Sequence, residues 1–326
     1  MKKLLAIGEA LIDFIPGQTN VGIKDVSNFL PIVGGAPANV CGAFVKLGGQ
    51  AELITQLGED PFGEKIIEEF TRYKIGTSYV KRTHEANTAL AFVALKNDGN
   101  REFSFYRKPS ADMLLGGEQI KEEWFEEGYA LHFCSVSLGD FPMKEAHEQA
   151  IGYAQKKGLL ISFDPNLRRP LWGNDEALYK RVWEFIPKAH LLKISDEELE
   201  FLTGTADMDR AKDKLFIGNV EMIVYTKGAW GAECYTRQEK GEALAGKVKA
   251  VDTTGAGDGF IGAFLYQLYL HGIGKDKLSQ VTKQQMKAFL SFANTFSGFS
   301  VQKKGAIASY PTLEEMKQKE QERLLT

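Results

Sequence analysis

The sequence predicts an α/β fold of three layers: a mostly parallel central sheet flanked by helices, with a small β-sheet lid. Three observations predict it. After Trp124, short apolar strands alternate with helices of roughly ten to fifteen residues, the rhythm of a parallel sheet covered on both faces. Several of these strands end in Gly, Asp or Asn, where ligands bind in such sheets. Two segments, 10–33 and 88–110, break the rhythm and read as the lid.

The chain of 326 residues is read as one domain, 1–326, large enough to bury about three quarters of its unfolded surface. An apolar fraction of 44% and a charged fraction of 25% are ordinary for a globular protein. A net charge of −3 without a basic block argues against a nucleic-acid partner. The run does not reach the 18 apolar residues of a membrane helix anywhere, so no membrane is expected. Cys41, Cys134 and Cys234 are far apart and suit a reducing, cytoplasmic setting.

Taken in order, residues 3–8 read as a buried strand ending in Gly8-Glu9. The first residues imitate a leader until Glu9 and Asp13 interrupt them. Residues 13–33 are rich in Gly, Pro and Asn and read as irregular. Gly34-Gly35-Ala36-Pro37-Ala38-Asn39 opens a helix, with Pro37 in the first turn, where its missing N–H does no harm. Val40, Phe44 and Leu47 face inward, and Gly48-Gly49 stops the helix. A strand over 51–57 and a helix over 62–74, ended by Gly76, follow. Residues 88–96 and 101–107 alternate around the turn cluster 96–100 and read as a hairpin. Tyr129 to Cys134, Leu159 to Asp164, His190 to Ile194 and Met222 to Thr226 are the later strands. Leu244 to Val251 is strand-like and leads into a helix marked by Phe260, Ile261, Phe264, Leu265 and Leu268 at helical spacing. Leu313 to Leu325 is a charged surface helix.

The stretch Asp252-Thr253-Thr254-Gly255-Ala256-Gly257-Asp258-Gly259 carries the chemistry. Small residues before a helix start leave backbone N–H groups uncovered, and the helix terminus adds about half a positive charge. That is a cradle for a phosphate. Asp258 is out of place beside an anion unless it accepts a proton from an attacking hydroxyl. An isolated aspartate here would read as a cap, but a cap needs no glycine cradle.

The two segments 34–39 and 252–258 resemble the two signatures of the ribokinase-like (PfkB) sugar kinases, in the same order and over essentially the whole chain. The resemblance is nearest to the fructokinase branch, carried by Phe105 to Leu114, Phe163 to Trp172 and Ser195 to Gly204. It implies the ribokinase-like fold, Asp258 as base, and an anion hole from the amides of Gly255, Ala256, Gly257 and Asp258. It implies that Asp13, Gly34, Gly35 and Asn39 hold the sugar, with Asn166 and Arg107 beside it. Arg168 is expected to reach the transferring phosphoryl group, arginine suiting phosphate and clustered hydroxyls. Lys193, Ser195, Glu198, Thr226, Gly228, Gly231 and Asn294 are expected around the nucleotide. Glu198 would place Mg²⁺ indirectly; Ser195 stands where the family's Asn-x-x-Glu motif has its asparagine. Asp252, Thr254, Ser300, Lys303, Gly305 and Ser309 match positions that bind K⁺ in many members.

The expected reaction is transfer of the γ-phosphate of ATP to the 6-hydroxyl of D-fructose. The alternatives are a 2-keto-3-deoxygluconate kinase or another sugar kinase of the family, and, in a different class, a non-catalytic sugar or nucleoside sensor. A homodimer through the lid is a further expectation of the resemblance. Gly17 to Lys24 is a near miss to a Walker loop, and Gly255 to Gly259 lacks Gly-x-Gly-x-x-Gly spacing. There is no Gly-x-Ser-x-Gly elbow. The five histidines have no ligand spacing and read as structural.

Overall fold

The first strand, β1 (Lys3–Ile7), is paired in parallel on both sides, and residues 4–7 are wholly buried. A strand buried on both faces is apolar throughout rather than alternating, which is why Leu-Leu-Ala-Ile could be read as one. The computed structural model describes residues 2–95 and 101–324. The predicted turn cluster 96–100 and Leu325 lie outside the described residues.

In chain order the elements are β2 (Leu11–Pro16), β3 (Phe29–Gly34), α1 (Ala36–Lys46), β4 (Ala51–Gly58), α2 (Pro61–Tyr73), β5 (Val80–Thr83), β6 (Ala89–Leu95) and β7 (Arg101–Tyr106). Then come β8 (Gly128–Cys134), α3 (Pro142–Lys156), β9 (Leu160–Asp164), α4 (Asp175–Phe185), β10 (Leu191–Ser195), α5 (Asp196–Thr203), α6 (Met208–Leu215) and β11 (Met222–Thr226). The chain ends with β12 (Ala232–Tyr235), β13 (Lys240–Ala243), α7 (Ala256–Leu270), α8 (Lys283–Ser300) and α9 (Leu313–Leu324). Nine strands form the central sheet in the order β13-β12-β11-β10-β9-β8-β1-β4-β5, parallel except at β12 and β13. Two apolar clusters, one on each face, make it a three-layer structure. A second sheet has the order β3-β2-β6-β7.

The fold class stands as expected, with four local differences. Residues 13–33 are not wholly irregular, because β2 and β3 pair antiparallel across them. Their period-2 signal is hidden: Leu11, Asp13 and Ile15 share the face that lines a cavity, so the polar and apolar residues do not alternate by face. Leu244 to Val251 is not a strand; the ladder stops at Ala243. Leu244 is 86% exposed and has no apolar surface to cover, so β-prone residues gain nothing from pairing there. The helix over 61–73 ends at Lys74 in the left-handed conformation (φ 63°), two residues before the glycine expected to stop it. Strands β5, β12 and β13 carry four residues each and are too short for a periodic signal.

What positions the site is α7. It is buried nearly all round, wedged against α1 and α8, and so cannot slide. Gly262 sets the closeness of the α1 crossing: a Cβ there would lie 2.9 Å from the Val40 carbonyl oxygen. The N-terminus of α7 is thereby brought to the carboxyl ends of β1, β9, β10 and β11.

Candidate active site

The approach to α7 is tied down by Asp252. Its Oδ1 accepts from Thr254 N (2.9 Å) and Thr254 Oγ1 (2.6 Å), and its Oδ2 accepts from Gly305 N (2.9 Å). The loop before the helix is thus fastened to the loop after α8. Gly255 then turns left-handed (φ 70°). Tyr310 Oη donates to the Gly255 oxygen (2.7 Å) and Ser297 Oγ to the Ala256 oxygen (2.7 Å). A trans peptide points its N–H opposite its C=O, so these two anchors aim the following amides the other way. The Ala256 amide donates to Thr253 O (3.2 Å), which removes it from the expected cradle of four. The amides of Gly257 and Asp258 precede the first helical bond, Gly259 N to Gly255 O (2.8 Å).

Asp258 is buried and held from two other elements. Asn39 Nδ2 donates to its Oδ2 at 2.9 Å, and Asn166 Nδ2 to its Oδ1 at 3.2 Å. Asn166 takes the left-handed conformation (φ 42°) just beyond β9, its amide donating to Asp164 Oδ1 at 3.1 Å. Burial pushes the Asp258 carboxyl above its usual range, opposed by the Asn39 hydrogen bond, Arg168 and Lys193. A carboxyl raised in this way is a better proton acceptor than one in water.

Beneath the cradle lies a buried charge cluster. Lys193 Nζ sits 3.1 and 3.0 Å from the two oxygens of Asp164 and 3.8 Å from Glu198 Oε2. A Cβ on Gly257 would stand 3.6 Å from that ammonium, so the cation lies against the cradle. Burial pushes Asp164 up to about 7, against the pull of Lys193. Burial alone would depress Lys193, but Asp164 and Glu198 hold it above the usual lysine range. One ammonium thus serves Asp164, Glu198 and Asp258, and their combined negative charge keeps the buried lysine charged.

Two cavities meet at this loop. One, of about 150 Å³, is walled by Glu9, Asp13, Gly35, Asn39, Asn166, Arg168 and Asp258, with Phe103 and Phe105 of β7 closing it from the second sheet. The other, of about 450 Å³, is largely apolar and includes Thr226, Gly228, Gly231, Ala256, Gly257 and Asn294. Thr253 lines both. Gly35 (φ 113°) passes so close to the link between β1 and β2 that a Cβ would lie 2.4 Å from the Glu9 carbonyl oxygen.

Other expected residues do different work. Arg107 does not line the cavity; its guanidinium is buried in an ion pair with Asp112. Gly34 packs against the Asp13 carboxylate. Ser195 is the N-cap of α5, and Glu198 answers it in a capping box. Glu198 Oε2 accepts from Ser195 N (2.7 Å) and its Oε1 from Leu167 N (3.1 Å), so it also pins the loop carrying Asn166 and Arg168. Asn294 Nδ2 donates to Ala243 O (2.9 Å). Ser300 and Ser309 hydroxyls donate to the carbonyls of Ser297 (2.9 Å) and Ala306 (2.8 Å), and Lys303 Nζ lies 3.7 Å from Glu315. Among the described residues no group of three or more His, Cys, Asp or Glu is arranged to hold a metal. His132 and His147 are buried and pushed down by burial, to about 3 and about 4, as befits structural histidines.

Three participants were not singled out from sequence: Glu9 on the cavity wall, Asp164 under the cradle, and Asp112 behind it. Asp164 had a signal, an Asp-Pro-Asn at a strand end. Asp112 had none, since its partner Arg107 seemed bound for the ligand.

The pattern of the pfkB family carbohydrate kinases matches residues 1–313. The chain is 40% identical over 310 residues to a probable fructokinase-5 of Arabidopsis thaliana, covering 95% of this chain and 94% of that one. It superposes on a fructokinase of Xylella fastidiosa with bound ATP at a TM-score of 0.91, with 34% identity over 99% of both chains. It also superposes on a fructokinase of Vibrio cholerae O395 holding fructose, ADP and a potassium ion, at a TM-score of 0.84 and 30% identity over 98% of both.

Proposed function

The chain belongs to the pfkB family of carbohydrate kinases, and from that premise we propose that it transfers the γ-phosphate of ATP to the 6-hydroxyl of D-fructose. The observation that carries this reading is the place of Asp258: a buried carboxylate, steered by Asn39 and Asn166, where a small polar cavity meets a larger apolar one. The sugar takes the first cavity, with hydroxyls on Asp13 and Asn39; Asn39 Oδ1 is buried with no hydrogen-bond partner among the described residues. The purine takes the second, and its phosphates run toward Gly257. Asp258 removes the hydroxyl proton as the oxygen attacks. The amides of Gly257 and Asp258, with Arg168, receive the charge that develops on the phosphoryl group. The second sheet closes the sugar cavity like a lid and keeps out water.

Each Glu198 oxygen accepts one amide hydrogen and keeps a further lone pair. It therefore fits a Mg²⁺ ion held through water, which would spread the charge of the nucleotide's end phosphates. We assign K⁺ to the loops bearing Asp252, Thr254, Ser300, Lys303, Gly305 and Ser309, a reading supported by the way Asp252 ties the loop before α7 to the loop after α8. The 2-keto-3-deoxygluconate alternative is weaker, because Arg107 is already paired with Asp112.

A panel of sugars assayed by coupled ADP release with ATP and Mg²⁺ tests this. Fructose should give the highest kcat/KM, with turnover lower when tetramethylammonium replaces K⁺. A better substrate of another kind would refute the fructose reading, and no salt effect the K⁺ reading. Leu30, on the edge strand β3 of the second sheet, is 62% exposed, which supports a homodimer through that edge. Sedimentation should give twice the chain mass, and Leu30→Glu should halve it. Among the described residues no helix is long and apolar enough to cross a membrane. The three cysteines are free and buried, which supports a reducing, cytoplasmic setting.

A further inference from the structure

On β7 Phe103 and Phe105 face the acceptor cavity, and Arg107 follows just beyond the strand's last residue. It stops short of the cavity. Its Nη2 donates to Asp112 Oδ2, and Ser110 Oγ donates to Asp112 Oδ1. Asp112 is buried on the short turn Ala111–Leu114. That turn is anchored by Ala111 N to Asn87 O (2.8 Å) and by Gln56 Nε2 to Ala111 O (2.9 Å).

Arg107 keeps unused capacity: its Nε is buried without a hydrogen-bond partner among the described residues. The ionisable group that meets both this pair and the cavity is Glu9, a residue of the cavity wall. Its carboxyl accepts from Ala36 N (3.1 Å) and Ser137 Oγ (3.0 Å) and feels both Arg107 and Asp112. The cavity wall itself carries three carboxyl groups, Glu9, Asp13 and Asp258, against one guanidinium, Arg168. An uncharged polyol finds donors and acceptors there, whereas a carboxylate finds mostly its own sign.

We propose that Asp112 determines substrate charge: by neutralising Arg107 behind the cavity wall it reserves the site for uncharged sugars, and without its charge the site admits carboxylated ones. The inference rests on reading this cavity as the acceptor site. Arginine is the side chain whose forked donors fit a carboxylate, so a released Arg107 is the group that an acid would engage.

Asp112→Asn preserves shape while removing charge, and Asp112→Ser is made beside it, both checked for folding by circular dichroism. D-fructose and 2-keto-3-deoxy-D-gluconate are compared by coupled ADP release and by calorimetric binding. The ratio of kcat/KM for the acid to that for fructose should rise about tenfold or more, mainly through a lower KM for the acid. Asp112→Glu should keep the unaltered ratio. An unchanged ratio in folded variants, with both substrates losing equally, overturns the proposal and leaves Asp112 a structural residue. In the unaltered protein the acid should inhibit fructose turnover about tenfold more weakly than the uncharged ketose L-sorbose does; equal inhibition also overturns it. Should the unaltered protein bind no uncharged sugar at all, the acceptor-site reading fails instead.

Discussion

Asp258→Asn lowers kcat on fructose by about a thousandfold while leaving ATP and sugar affinity within a few-fold, the middle of the range that a positioned base contributes. The carboxylate has no substitute within the cavity: Glu9 is occupied by Ala36 N and Ser137 Oγ, and Asp13 stands on β2 against Gly34. Steady-state kinetics with separate binding titrations check this, and turnover near the unaltered rate would remove Asp258 from its role. The pH profile adds a second reading. The carboxyl is raised from 3.8, so kcat/KM falls on the acid side at higher pH than an ordinary aspartate would give, and the variant lacks that limb.

Stability moves the other way. A carboxyl with a raised pKa in the folded state is more easily ionised when unfolded, so its ionisation weakens the fold. That penalty is absent below the unfolded value of 3.8 and grows as pH rises toward the folded value. Asparagine has no such cost. The Tm of Asp258→Asn should exceed that of the unaltered protein at pH 8, and the gap should close below about pH 4. A lower Tm at pH 8 would mean that Lys193 and Arg168 outweigh burial.

Gly255→Val should destabilise the protein by about 3 kcal/mol and cut kcat roughly a hundredfold. Two costs combine. The left-handed turn at φ 70° excludes a β-branched side chain. A Cβ there would also lie 2.7 Å from both Ala306 Cβ and Tyr310 Oη, on backbone and ring that cannot easily move. Displacing Tyr310 breaks its bond to the Gly255 oxygen and loosens the turn from which the Gly257 and Asp258 amides are set. Thermal unfolding measures the first effect and single-turnover kinetics the second. A variant with unchanged Tm and kcat would show that the cradle is not built on this turn.

Much of the site was legible because the chemistry sits in short, contiguous stretches. Asp252 to Gly259 gives loop, glycines, acid and helix start in eight residues, and each feature has a local physical cause. The strands of the central sheet were legible for a similar reason, since strands buried on both faces are apolar throughout. The second sheet was harder. Asp13 lies between two apolar residues on a cavity face, so its pattern imitates neither a core strand nor a surface one.

Sequence alone determined the α/β class, the cradle at 252–258 with its acid, and the second cradle at Gly34-Gly35 that leads to Asn39. These are local properties, fixed by backbone freedom and helix termini. Only the tertiary structure decided that Arg107 is spent on Asp112, that the Ala256 amide turns away, that Glu198 caps a helix and pins Leu167, and that Lys193 is shared among three carboxyls. The fates of Arg107, Leu167 and Lys193 depend on which groups burial brings within a few ångströms of one another, and distance along the chain carries little information about that.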